Sequence, residues 1–247
     1  MVRIIGLDAA ADLGNFGWVA CRYEAGVLSL DDSGVLGGVA GLDAMAGRCA
    51  DEVVRTLIAI DAPLGWPAPM VRVLGQHRAG GPLAVDPNDM FRRETDKWVK
   101  KVIGKQALDV GADKIARAAW QALNVLNQLR AHSGQPIPLA WQADFAPCVA
   151  AIEVYPAATL LASGLPPTSY KKPDEGRAAR RALCLGLADR APWLLDLIDA
   201  QVDIFDAGLC AIAGADFLDG LACPPKDLAL AECEGWIWVR APLQRLV

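Results

Sequence analysis

Leu57-Ile58-Ala59-Ile60-Asp61-Ala62-Pro63-Leu64-Gly65-Trp66-Pro67 carries four apolar residues, two of them β-branched, straight into an aspartate and then a turn rich in proline and glycine. An apolar run of this length bounded by turn residues reads as a strand buried on both faces. Asp61 then stands at the carboxyl end of that strand, where open α/β sheets place their ligands. A carboxylate there is costly to bury unless it is paired or coordinates a metal. The plain alternative is an aspartate that caps the turn or helix after it. The pattern recurs elsewhere in the chain, which favours a site.

The first recurrence is Val2-Arg3-Ile4-Ile5-Gly6-Leu7-Asp8, again a strand ending in aspartate. Phe16-Gly17-Trp18-Val19-Ala20-Cys21-Arg22-Tyr23 reads as a second strand and Val27-Leu28-Ser29-Leu30 as a third, joined through Glu24-Ala25-Gly26. A tight glycine-containing turn between short strands makes an antiparallel hairpin. Residues 42–55 carry Leu42, Met45, Val53 and Val54 at helical spacing and lead into the strand that ends at Asp61. A right-handed crossover lays that strand parallel to a neighbour. The expected fold is therefore α/β, a mixed sheet of three antiparallel strands followed by parallel ones. Asp8 and Asp61 fall at the same sheet edge. Two carboxylates brought together repel, so one takes a raised pKa or a cation bridges them.

Residues 67–148 are too many for a loop and read as a mainly helical insertion within one domain spanning 1–247. Within it, Phe91-Arg92-Arg93-Glu94-Thr95-Asp96-Lys97-Trp98-Val99-Lys100-Lys101 is the most basic part of the chain. Its cations suit phosphates and Trp98 suits stacking on a base; the competing reading is a solvated helix laced with ion pairs. Residues 114–130 form an amphipathic helix whose apolar face is for packing. Val149-Ala150-Ala151-Ile152-Glu153-Val154-Tyr155-Pro156 then supplies a third strand-end acid, Glu153, because the proline ends ladder bonding two residues on. Lys171, Lys172 and Arg177 follow, with phosphate contact or solvated surface as their two uses. Residues 202–217 form an apolar helix in which Asp203 and Asp206, three apart, share a face. An N-cap role suits Asp203 but not Asp206, a turn further in. Residues 234–239 read as a closing strand on a sheet face or edge.

Composition narrows the function. A hydrophobic fraction of 53% is ample for a core, and the net charge of −5 argues against broad non-specific nucleic-acid binding while leaving room for a local basic groove. Seven cysteines occur as singles with only two histidines, so a tetrahedral zinc site is not expected and the thiols read as reduced. The amino terminus lacks a signal-like pattern, and no apolar run approaches the roughly 18 residues of a membrane span. These features point to a cytoplasmic protein.

Asp8, Asp61, Glu153 and Asp206, with Asp203 beside it, all fall where apolar elements deliver them to a site. Mg²⁺ or Mn²⁺ needs few carboxylates and keeps several waters. Such ions activate water for phosphodiester cleavage without a nucleophilic side chain. The order of strands and acids resembles the ribonuclease H-like superfamily, and Asp203-x-x-Asp206 resembles the late-helix pair of Holliday-junction resolvases. Ile5-Gly6-Leu7-Asp8, Ile60-Asp61-Ala62-Pro63-Leu64-Gly65, Arg93-Glu94-Thr95-Asp96, Glu153-Val154-Tyr155-Pro156 and Asp203-Ile204-Phe205-Asp206-Ala207 together are similar to the predicted RNase H-like nucleases grouped as domain of unknown function 429 (DUF429).

That resemblance implies an RNase H-like fold and a divalent-metal nuclease acting on DNA or RNA. It makes Asp8 and Asp61 central metal ligands and Asp206 the late-helix ligand. Glu153 and Asp203 become additional ligands or bases, and Arg93 and Asp96 the insertion's contribution to substrate. Lys171, read from its polar loop and not from the resemblance, is the further substrate-binding candidate. No acid on the first helix stands out, which departs from usual RNase H design. Two other readings remain open. One is an ATP-dependent phosphotransferase of the actin and sugar-kinase type, against which Asp8 to Gly17 holds only Gly14 and Gly17 as loop glycines. The other is a non-catalytic RNase H-like binding module.

Overall fold

The computed structural model describes residues 1–111 and 113–243. In chain order it contains β1 (Val2–Asp8), β2 (Gly17–Glu24), β3 (Val27–Val35), α1 (Val39–Cys49) and β4 (Arg55–Asp61). There follow α2 (Ala68–Leu74), α3 (Pro87–Phe91), α4 (Glu94–Ile103), α5 (Asp113–Ser133) and β5 (Val149–Glu153). The chain closes with α6 (Pro156–Ala162), α7 (Gly176–Gly186), α8 (Val202–Leu218) and α9 (Leu228–Glu234).

The five strands form one open sheet in the order β3-β2-β1-β4-β5. β1, β2 and β3 pair antiparallel, while β4 and β5 run parallel to β1. This is the mixed α/β sheet that the alternation of strand and helix signals implies. Each central strand is apolar on both sides because helices cover both faces. Ile5, Leu7, Ile58 and Ile60 pack against α1 and α5, whereas Ile4 packs against α8 on the opposite face, with α7 beside it. α5 is thus the crossover helix between β4 and β5, and residues 67–111 are the part of that connection which lies outside the central layers.

Two elements differ from expectation. The helix expected over 42–55 ends at Cys49, and Val53, 93% exposed, belongs to no apolar face. The Asp51 carboxylate accepts the Val53 amide at 3.1 Å and Arg3 binds the same side chain, so a local turn replaces the last helical turn. The strand expected over 234–239 is instead the end of α9 followed by an extended run. That run touches the β5 edge through one parallel bridge, Glu153 to Ile237. Its Ile237 amide goes to the Thr95 hydroxyl at 2.8 Å, so no continuous ladder forms. Trp236 to Val239 are nevertheless buried and cover the sheet edge.

No helix among the described residues is long and apolar enough to cross a membrane. All seven cysteines are unpaired.

Candidate functional site

β1 and β4 pair in a register that sets Asp8 directly beside Asp61. Residues opposite each other on neighbouring strands direct their side chains to the same face, so both carboxyls leave the sheet on the side of α8. That helix lies unusually close to the sheet because Gly6 and Gly17 have no side chain. A Cβ on Gly6 would stand 2.1 Å from the Ala207 carbonyl oxygen, and one on Gly17 2.1 Å from that of Asp203. The close approach brings Asp206, fully buried on α8, up to the two strand-end acids.

The three carboxyls perturb one another. Burial, then the charges of Asp206 and Asp61, push the Asp8 carboxyl well above its ordinary value. Burial and Asp206 push Asp61 up to about 7, with Lys171 pulling the other way. Burial also raises Asp206 while Lys171 and the Tyr170 hydroxyl hold it back. Asp203 sits a turn earlier on α8 and adds repulsion to both Asp8 and Asp206. Asp206 accepts from the Tyr170 hydroxyl at 2.9 Å through Oδ1 and forms an ion pair with the Lys171 ammonium through Oδ2. One lysine therefore offsets a cluster of four acids, supplied by the loop between α6 and α7. Tyr170 was not foreseen from sequence: an aromatic residue in a loop gives no signal until the loop folds back on α8.

Glu153 lines the same cavity and its charge also raises Asp61, but it leaves the sheet differently. It pairs with Ile60, not Asp61, and a shift of one residue sends a side chain to the opposite face. There its two oxygens engage Arg93 at 2.7 and 2.8 Å and its Oε2 also accepts the Leu64 amide at 3.0 Å. Arg93 makes two further bonds to Asp96 and one to the Glu234 carbonyl. All five guanidinium N–H groups are thereby used, and none remains for a substrate. Arg93 and Asp96 are 1% and 0% exposed, so this part of the basic run is an internal ion-pair network, not a phosphate-binding face. Burial pushes the Glu153 carboxyl up and the guanidinium pulls it back. Trp98 packs on Trp236 with ring centroids 5.4 Å apart, while Arg92 and Lys97 pair with Asp109 and Asp89.

Above the acids lies a cavity of about 780 Å³ whose floor includes Asp8 and Asp61. Lys105, Leu108, Ile115 and Ala118 also line it, as do residues of the loop before α7 and Arg93, Asp96 and Glu153. Burial and the Asp61 charge push the Tyr155 hydroxyl, also at the cavity, up to about 12.

The donor set suits a hard divalent cation: oxygen ligands only, with more negative charge than the single ammonium neutralises. Yet among the described residues no three Asp, Glu, His or Cys side chains converge as a finished ligand cage. Asp8 and Asp61 provide the pair of carboxylates that a largely hydrated Mg²⁺ requires. The third, Asp206, has its free oxygen committed to Lys171.

The family model described as "Protein of unknown function (DUF429)" matches residues 6–229. No curated protein matches the chain.

Proposed function

This chain belongs to the DUF429 family, and we propose that it is a divalent-metal-dependent nuclease of RNase H-like design, hydrolysing phosphodiester bonds in nucleic acid. The observation that carries the reading is the in-register pair Asp8 and Asp61, facing the buried Asp206 at the floor of a cavity. In this reading Asp8 and Asp61 hold Mg²⁺ or Mn²⁺, and Asp206 joins them when Lys171 releases its oxygen. The ion, when bound, supplies Lewis acidity and lowers the pKa of water at the site. Lys171, freed from Asp206, then faces phosphate, with Lys172 beside it on the cavity wall. Asp203 adds negative charge that raises cation affinity. Glu153, Arg93 and Asp96 fix the position of the insertion over the site and do not touch the ion.

The Lys171–Asp206 ion pair also favours a second reading, a binding module whose acids are neutralised internally. The phosphotransferase reading has less support. The loop between β1 and β2 folds into a 3-10 turn over Leu13–Asn15 whose Gly14 amide is taken by the Asp12 carboxylate. A carboxylate at that position repels phosphate.

A calorimetric Mn²⁺ titration of the wild type beside Asp8→Asn and Asp61→Asn separates the readings. Saturable binding lost in both variants, together with metal-dependent cleavage of nucleic acid that Asp61→Asn abolishes, is the expected result. Cleavage by Asp61→Asn at the wild-type rate would sink the mechanism. Absence of metal binding in the wild type would leave the binding module.

A further inference from the structure

We infer that the cavity takes a single nucleotide unit, with its base against an apolar wall supplied by the insertion and its phosphate between lysines above the carboxylates. This inference rests on the proposed function and names the substrate class of the same site. Size is the first argument. A volume of about 780 Å³ lies within the range of cavities that enclose one small organic ligand.

The second argument is where apolar surface has been left open. Leu108 lines the cavity and is 66% exposed. Ile115, in the first turn of α5, lines the same cavity and does not join the face by which that helix packs on the sheet. Apolar side chains held open in a concave site are a place for a flat, weakly solvated group, and a nucleobase is such a group.

Charge gives the third. Lys105 from the insertion and Lys171 and Lys172 from the loop before α7 stand around the same space, with Asp8 and Asp61 beneath. Cations around the wall and carboxylates at the floor suit a phosphate with a divalent ion under it, since the bare floor repels an anion. Binding of the nucleotide is therefore tied to the metal. A free nucleotide and the end of a nucleic-acid strand share this chemistry, and both fit the space.

The test uses the full chain. Calorimetry with Mn²⁺ comes first, then with AMP and with inorganic phosphate in the presence of Mn²⁺. AMP is expected to bind about tenfold or more tightly than phosphate, because only AMP covers the apolar wall. Leu108→Ser should remove most of that difference while phosphate affinity holds. Competition against AMP then identifies the source. A linear single strand that competes where a circular one does not marks a chain end, whereas failure of both to compete would mark a free nucleotide, which has no phosphodiester bond, and would overturn the proposed function together with this inference. Equal competition by the circular strand would overturn the inference, since an interior segment would then fill the site. So would AMP and phosphate of equal affinity, or an unaffected Leu108→Ser. If Mn²⁺ binds but AMP shows no advantage, only this inference falls; if Mn²⁺ does not bind, the proposed function falls with it.

Discussion

At neutral pH the Asp61 carboxyl stands near half protonation, because its pKa is pushed up to about 7 by burial and by the charge of Asp206. Between the ordinary value of 3.8 and about 7 the folded chain holds a proton that the unfolded chain has released. The contribution of Asp61 to stability is thus most favourable below the ordinary value and is lost as pH rises through 7. Asp8 is displaced in the same direction and adds to the trend. In EDTA, the gain of Asp61→Asn over the wild type should be larger at pH 8 than at pH 5 by on the order of 2–3 kcal/mol. Urea midpoints at the two pH values measure this, and equal effects at both would remove Asp61 from the strained cluster. The aspartates were legible in sequence because an apolar run stopped on each of them. Glu153 ends its strand in the same way but lies one register step away, and pairing register is not written in one strand alone. Arg93 was misleading for another reason: a basic run looks solvated until its counter-ions, one sixty residues away, fold around it.

Among the elements, α8 is tightly placed. Gly6 and Gly17 face it from adjacent strands, and what a side chain would strike is helix backbone, which cannot rotate away. Gly6→Ala should force α8 off β1, costing about 3 kcal/mol or more and separating Asp206 from Asp8 and Asp61. Chemical denaturation reads the first effect and Mn²⁺ titration the second. A variant with the wild-type midpoint would show that the helix has room to shift. The helix itself was evident from its apolar residues, but its distance from the sheet was not, since a glycine in a strand does not say what approaches it. The end of α1 was hidden likewise. Val53 and Val54 continue the helical spacing, and the Asp51 turn that interrupts it depends on Arg3, 48 residues distant.

Over the whole molecule, the sheet and its helices follow from alternating strand and helix signals, and the mixed pairing follows from the early hairpin. The cavity does not. Its walls arrive from the β4–β5 connection and the α6–α7 loop, and neither has a composition that announces a ligand. Trp236 to Val239 show the same limit. Their apolarity predicts burial, but the Thr95 hydroxyl that takes the Ile237 amide decides that they cover an edge without extending the ladder.

The Arg93 network has a neighbour in Glu234, whose backbone carbonyl accepts from the guanidinium. Its side chain accepts the Ala68 amide at 2.7 Å and the Glu94 amide at 2.8 Å, the first residues of α2 and α4. One carboxylate thus satisfies helix starts 26 residues apart in sequence and complements both helix dipoles. Neither helix can detach without taking a partner from a carboxylate that is only 4% exposed. The crossover and the carboxyl-terminal segment should consequently open to solvent as one cooperative unit. In native-state hydrogen exchange, amides of α4 and α9 should share one opening free energy, and Glu234→Gln should lower it for both together. Protection lost from α9 alone would show two independent units, and the roof of the cavity would then move without its anchor.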